Sequence, residues 1–355
     1  MRCDEIVVDA EVEDQVTLPE TPSSRVSYHA VAAAAGVSVS TISRYLNGHL
    51  RLRPETEARV RAAIEDTGFM PEPRAKAPVE GRRTVGVVVP HLGNSYYGRL
   101  AEGLVRAAED QNYSAVITST LDNPRKQLDY VYLLDSVKVH GILYAGNYRT
   151  NPALADVVDQ GTPVVVVDEE VSNLPPVDAV LVDDYAGAFQ ATTYLCSQGH
   201  RDIAFVGGPS SLRSTQERLR GFGDALRKYD MNPDERVPLL GSFTEEFGVA
   251  AISRIFSSQT SPTAVFAASD IVALGALSAA GSLGMTVPRD FSLVGFDDLP
   301  ESRHVGLTTV RTPLNLMAKT AVTALAERID GYSGEFRTQR VPVTLQIRDS
   351  TRSIS

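Results

Sequence analysis

A single glycine constrains the first fifty residues of this chain more than any other feature. The run Tyr28 to Ala35 is almost all alanine and reads as helix, and Gly36 cuts it with the residue that most easily takes the left-handed conformation ending a helix. Ser38 then offers a side-chain cap for a second helix beginning near Val39. In that second helix Ile42, Tyr45 and Leu46 fall at i, i+3 and i+4 and form one apolar stripe. Two short helices joined by so tight a turn fit a helix-turn-helix.

The face opposite the stripe is polar. An arginine fork suits the O6 and N7 of guanine, so Arg44 is a candidate base reader, and Val39 offers apolar contact of the kind a thymine methyl accepts. The hydroxyls of Ser40, Thr41 and Ser43 suit phosphates more often than base edges. Spacing alone fits equally a small helical hairpin whose polar face is merely solvated. Further on, Pro54 fits a first helical turn, Val60, Ala63 and Ile64 make a buried stripe, and Gly68 closes a third helix near Phe69.

The string GVSVSTISRYLNG, followed by Pro54 to Gly68 and then Arg82-Arg83-Thr84, resembles the LacI/GalR family of bacterial transcription regulators. The resemblance extends from about Val26 to Ile347. It implies a base-reading set of Val39, Ser40 and Arg44, a phosphate set of Thr41, Ser43 and Asn47, and a homodimer on operator DNA. It also implies that residues 70–84 form a hinge that folds on DNA, with Lys76 as a minor-groove contact. Where the family usually wedges a leucine between base pairs this chain has Pro78. Proline cannot donate a helical hydrogen bond, so a hinge helix here is short or interrupted, although proline can itself wedge a base step.

Charge is distributed as such a regulator requires. The net charge of −10 seems to oppose nucleic acid, but residues 1–24 hold one Arg against seven acids, and residues 25–84 hold ten Lys and Arg against six acids. A basic head on an acidic body is the asymmetry expected when only the head meets phosphate. Residues 1–24 are expected to be a solvated acidic tail. Their acids stand where a signal peptide would carry basic and apolar residues, and no apolar run approaches the ~20 residues that span a bilayer, so a cytoplasmic protein is expected. With only Cys3 and Cys196, no disulfide framework or metal quartet can form.

From residue 85 onward short β-branched runs alternate with helical stretches: 85–89, 115–118, 141–144, 164–167, 180–182, 203–206, 264–267 and 292–295. Apolar runs of this length between amphipathic helices predict parallel sheets covered on both faces, and there are enough for two. Such sheets bind ligands beyond the carboxyl ends of their strands. That rule selects Asn94, Tyr96 and Tyr97, then Asp122, Asp168, Ser269-Asp270 and Asp297-Asp298.

The resemblance implies a core like that of periplasmic sugar-binding proteins, two doubly wound lobes with an effector between them. The N-lobe is expected at 85–183 and 313–337, and the C-lobe at 184–312 and 338–349, joined by three crossovers. Arg218 occupies the place of an arginine that points into the cleft, with Arg220 the neighbouring alternative; a guanidinium there suits vicinal hydroxyls or a carboxylate. The expected effector contacts are Asn94, Tyr96, Asp122, Asp168, Arg218, Phe243, Ser269 and Asp297, with Tyr96 and Phe243 as flat faces for stacking. Ser269 stands where the family usually has Asn, so the effector is expected to differ from those of Asn-bearing relatives.

No P-loop, dinucleotide glycine fingerprint, zincin motif or nucleophile elbow occurs, and the six histidines lie at no metal-ligand spacing. Neither catalysis nor a cofactor nor a metal is expected. The expected function is transcription regulation, with repression the expected mode, under a sugar-like rather than purine effector. The alternative is a solute-binding module without a DNA role.

Overall fold

The structure is a computed structural model and describes residues 28–46, 50–69, 82–235, 237–257 and 261–354. These fall into two units, a helical head of residues 28–69 and a core of residues 82–354. Asn47, Lys76 and Pro78 lie outside the described residues, as do the acidic residues 1–24.

In the head, α1 (Tyr28–Ala35), α2 (Val39–Leu46) and α3 (Pro54–Thr67) follow one another. Gly36 has φ 63°, and this left-handed turn lets Val37 N donate to the Ala32 carbonyl at 3.1 Å, closing α1. Ser38 Oγ accepts from Thr41 N at 3.1 Å and caps α2. The stripe on α2 packs as its spacing predicts: Ile42 is fully buried among Val31, Ala35, Val60 and Ala63, while Tyr45 OH donates to Glu57 Oε1 at 3.0 Å. Gly68, at φ 62°, ends α3 and delivers Phe69 edge-on to Tyr28, their rings 5.1 Å apart. Arg44 and Ser40 remain exposed on the other face of α2.

The core begins with β1 (Arg83–Val89), α4 (Ser95–Asp110), β2 (Tyr113–Ser119), α5 (Pro124–Ser136), β3 (Ile142–Tyr144), α6 (Pro152–Asp159), β4 (Val164–Asp168) and β5 (Asp178–Val182). A second alternation follows: α7 (Asp184–Ser197), β6 (Ile203–Gly207), α8 (Arg213–Lys228), β7 (Leu239–Leu240), α9 (Glu245–Phe256), β8 (Ala264–Ala267), α10 (Asp270–Ser282), β9 (Ser292–Asp297), α11 (Pro300–His304) and β10 (Thr308–Arg311). The chain ends with α12 (Leu314–Ile329), β11 (Thr338–Val341) and β12 (Thr344–Gln346).

Two six-stranded sheets result, ordered β11-β5-β4-β3-β1-β2 and β12-β10-β9-β8-β6-β7. The first is parallel throughout; in the second only β12 runs antiparallel, against β10. Unbroken apolar strands are what a sheet buried on both faces needs, and Val164 to Val167 are all buried. The fold is the expected two-lobed α/β architecture preceded by a helical head.

The chain passes between lobes at Asp183, whose carboxylate caps α7, and again after β10, where α12 returns to pack on β3, β4 and β5. The third passage differs from expectation. Residues 338–341 belong to the first sheet, as β11 beside β5, and not to the C-lobe. Pro342 supplies the physical reason: with no N–H to donate it ends the strand, and the chain pairs with the other sheet only from Thr344. The first strand also begins earlier than residue 85, at Arg83.

Candidate functional site

Between the lobes lies a cleft lined by residues of both. It is built from the carboxyl ends of strands in both sheets, as the topology of open parallel sheets dictates. From the first lobe come Asn94, Tyr96 and Tyr97 after β1, and Asp168 and Glu169 at the end of β4. From the second come Ser214 and Arg218 on α8, Phe243 before α9, Ser269 and Ile271 at the start of α10, and Asp297 at the end of β9.

Backbone strain marks two of these positions. Asp168 has φ 75° and Asp297 φ 122°, in a region that side-chain-bearing residues seldom adopt and that clusters at functional sites. Asn94 caps α4, accepting from Tyr96 N at 2.9 Å, and Ser269 caps α10, accepting from Val272 N at 3.3 Å. These two polar groups line the cavity while fixing the helices that carry its neighbours.

Arg218 is 5% exposed. Its Nε donates to Asp184 Oδ1 at 2.7 Å and a terminal nitrogen donates to the Ala268 carbonyl, while the guanidinium lies 3.8 Å from the centre of the Phe296 ring. Burial works against the charge, yet Asp184 and then Asp297 hold the guanidinium above its ordinary range. Arg220, the alternative, is exposed, pairing with Glu217 and lying over Tyr185.

The carboxyls respond to burial in the opposite sense. Burial pushes Asp168 up to about 6 against the pull of a hydrogen bond from Tyr96 OH. Glu169, 5% exposed, is pushed up to about 8 by burial and then by the Asp168 charge, opposed by its bonds from Ser214. Burial also raises Asp297 well above the carboxylate range, with Arg218 opposing. Groups so shifted and gathered in one cleft make it the candidate ligand site.

Three contacts bridge the lobes around this cavity. Glu169 accepts from both the backbone N and the hydroxyl of Ser214, Arg213 Nη1 donates to Glu170 Oε2 at 3.2 Å, and Ser95 Oγ donates to Glu301 Oε1 at 2.8 Å.

Of the eight cleft residues expected from sequence, seven line the cavity. Asp122 does not. Leu121 and Asp122 are both left-handed, at φ 52° and 53°, and this reversal leaves Asp122 exposed, with its carboxylate bonded to Asn147 Nδ2 at 2.7 Å. Sequence reasoning passed over Asp184, Glu169 and Ser214. Glu169 directly follows Asp168 and was within reach of the same strand-end rule. Among the described residues no group of three or more His, Cys, Asp or Glu could hold a metal ion, and no helix is long and apolar enough to cross a membrane.

A helix-turn-helix head and a two-lobed, cleft-bearing core in one chain define a DNA-binding transcription regulator. Residues 28–72 match the model of bacterial regulatory proteins of the lacI family, and residues 192–351 match a periplasmic binding protein-like domain. The chain belongs to the lacI family. It is 30% identical to the HTH-type transcriptional regulator DegA of Bacillus subtilis over 332 residues, 92% of this chain and 98% of that one. It is 31% identical to the HTH-type transcriptional repressor PurR of Edwardsiella ictaluri over 90% of this chain and 95% of that one. Among solved structures, a complex of the transcriptional regulator CelR with cellobiose superposes with a TM-score of 0.70 at 30% identity, covering 92% of this chain and all of that one. A lac repressor dimer bound to operator superposes at 0.69 and 25% identity, over 92% and 99% of the two chains. Membership of this family sets aside the reading as a solute-binding module without a DNA role.

Proposed function

We propose that this regulator is a homodimeric repressor whose operator affinity is set by a small polyhydroxylated effector held in the cleft by Arg218, Asp168 and Asp297. The observation that carries the reading is the composition of the cleft: one buried guanidinium, strand-end carboxyls and aromatic faces converge between two lobes. A relative's cellobiose complex and a LacI family regulator from Enterococcus faecium with bound ribose support a sugar-like ligand. The cleft offers hydrogen bonds and stacking and holds its ligand without turning it over.

Control of DNA follows from the connections. Each lobe is a sheet covered by helices, and among the described residues three passages of chain join them, so a ligand that bonds both lobes favours one relative orientation. Coupling of this kind is reciprocal: an effector that weakens operator binding must itself bind more weakly to the operator complex by the same factor. Titrating effector by calorimetry with and without saturating operator checks this, and equal affinity in the two titrations would remove the mechanism.

At the DNA, α2 supplies Arg44, Val39 and Ser40 to base edges and Thr41 and Ser43 to phosphates. Arg44→Ala is expected to cost about 1–3 kcal/mol in operator binding and to relax preference at one base pair. Competition with a set of singly substituted operators reads this directly; equal weakening on every sequence would make Arg44 a phosphate contact.

A further inference from the structure

We infer that Glu169 and Glu170 form a clasp by which the chain closes its own cleft, so that a ligand reaches Arg218 only when the clasp parts. The clasp goes beyond the effector reading and is tested apart from it, being a property of the two lobes whatever ligand enters between them.

Two consecutive residues of one lobe meet two consecutive residues of the other. Glu169 and Glu170 follow β4, and Arg213 and Ser214 open α8. Ser214 donates to Glu169 through its backbone N at 3.3 Å and through its hydroxyl, and Arg213 Nη1 donates to Glu170 Oε2 at 3.2 Å. The helix they end on needs this partner. α4 and α10, which also open onto the cleft, carry their own caps in Asn94 and Ser269. At α8 the capping position is Leu212, whose side chain cannot accept, so the N–H of Ser214 takes its acceptor from the opposing lobe. Separating the lobes therefore uncaps the helix that carries Arg218 one turn further along.

Glu170 ties the clasp to the connections between the lobes. Its Oε1 accepts from Arg340 Nη2 at 3.3 Å, and Arg340 lies in β11, two residues before Pro342, where the third passage starts. One carboxylate thus holds an arginine from each lobe. Little room is left behind the clasp: about 40 Å³ of free space lies among the cleft residues. That admits a few water molecules, whereas small-ligand sites run to about 300–1,000 Å³. A body the size of a sugar enters only by parting the lobes, and the parted fraction then scales its apparent affinity.

The test uses the full chain with one added thiol. Ser269→Cys puts it on the cleft wall, at a residue 4% exposed, while the native Cys196, buried in α7, reports loss of the fold. Reaction with N-ethylmaleimide, a reagent about as large as a sugar ring, is followed at both positions by peptide mass spectrometry. Glu169→Met keeps the length of the side chain and removes the acceptor. It is expected to speed reaction at position 269 about tenfold, the effect of losing two ordinary hydrogen bonds, with Cys196 unchanged. Glu170→Lys, set against Arg213 and Arg340, is expected to speed it about threefold, and adding Arg213→Glu to bring the rate back within about twofold of the parent.

Equal rates at position 269 in the parent and in Glu169→Met would overturn the clasp, as would a parent in which that thiol reacts as fast as one in a short peptide. A matching rise at Cys196 would mean that Glu169→Met has lost its fold. The charge swap, made at half-exposed residues, then decides alone: recovery upholds the clasp, and a Glu170→Lys effect left in place by Arg213→Glu overturns it. None of these outcomes depends on which effector binds.

Discussion

Replacing Arg218 with alanine is expected to cost the core about 3–5 kcal/mol of stability, because it leaves a carboxylate buried without its partner. Asp184 is 4% exposed and accepts from Arg218 Nε at 2.7 Å; the Ala268 carbonyl loses a donor at the same time, and the Phe296 ring loses the guanidinium 3.8 Å from its centre. The prediction separates charge from volume. The double variant Arg218→Met with Asp184→Asn removes both charges and refills the space, and replacing a whole buried pair is often close to neutral. Urea unfolding of the two variants should therefore show a large loss for the single change and recovery of most of it for the double. The double variant should still bind operator through its intact head while no longer responding to effector. A loss below about 1 kcal/mol for Arg218→Ala would mean that water replaces the guanidinium at Asp184 and that the pair is a surface-like one.

The residues that sequence placed correctly are those whose fate is decided locally or by topology. Gly36, Ser38 and Ile42 act within one helical turn of themselves, so the head could be read from spacing. Asp168 and Asp297 follow apolar runs, and a parallel sheet delivers whatever follows such a run to one edge. Asp122 satisfied the same rule and failed it, because the rule is blind to the two left-handed residues that turn the loop after β2 outward. The stretch Val341 to Ile347 reads as one strand unless Pro342 is weighed as a stop, and the structure divides it between two sheets. Glu169 lay within reach of the strand-end rule, but its bond to Ser214 did not: it joins residues 45 positions apart on opposing lobes, and neither residue alone announces a partner. Arg218 was found through resemblance, but its commitment to Asp184 was not, since a crossover residue gives no sign of being a counter-ion.

Gly275→Ala is expected to destabilise the core by about 2–3 kcal/mol, whereas Gly281→Ala six residues further along the same helix is expected to stabilise it by about 0.5–1 kcal/mol. The contrast comes from what a methyl group would meet. At Gly275 a Cβ would lie 2.0 Å from the Glu245 carbonyl oxygen, and at the reciprocal Gly248 it would lie 2.2 Å from the Val272 carbonyl oxygen, so α9 and α10 touch backbone to backbone and can yield only by moving apart. At Gly281 nothing lies within 4 Å, and alanine there simply reduces the freedom of the unfolded chain. The close approach also bears on the site, since the first turn of α10 holds the Ser269 cap and brings Ile271 to the cavity wall. Displacing α10 should thus weaken effector binding as well as folding, while Gly281→Ala should leave effector binding unchanged. Thermal denaturation with effector titration on the two variants decides the matter: a stable Gly275→Ala protein with normal effector affinity would show that α9 gives way and that α10 alone holds its end of the cleft.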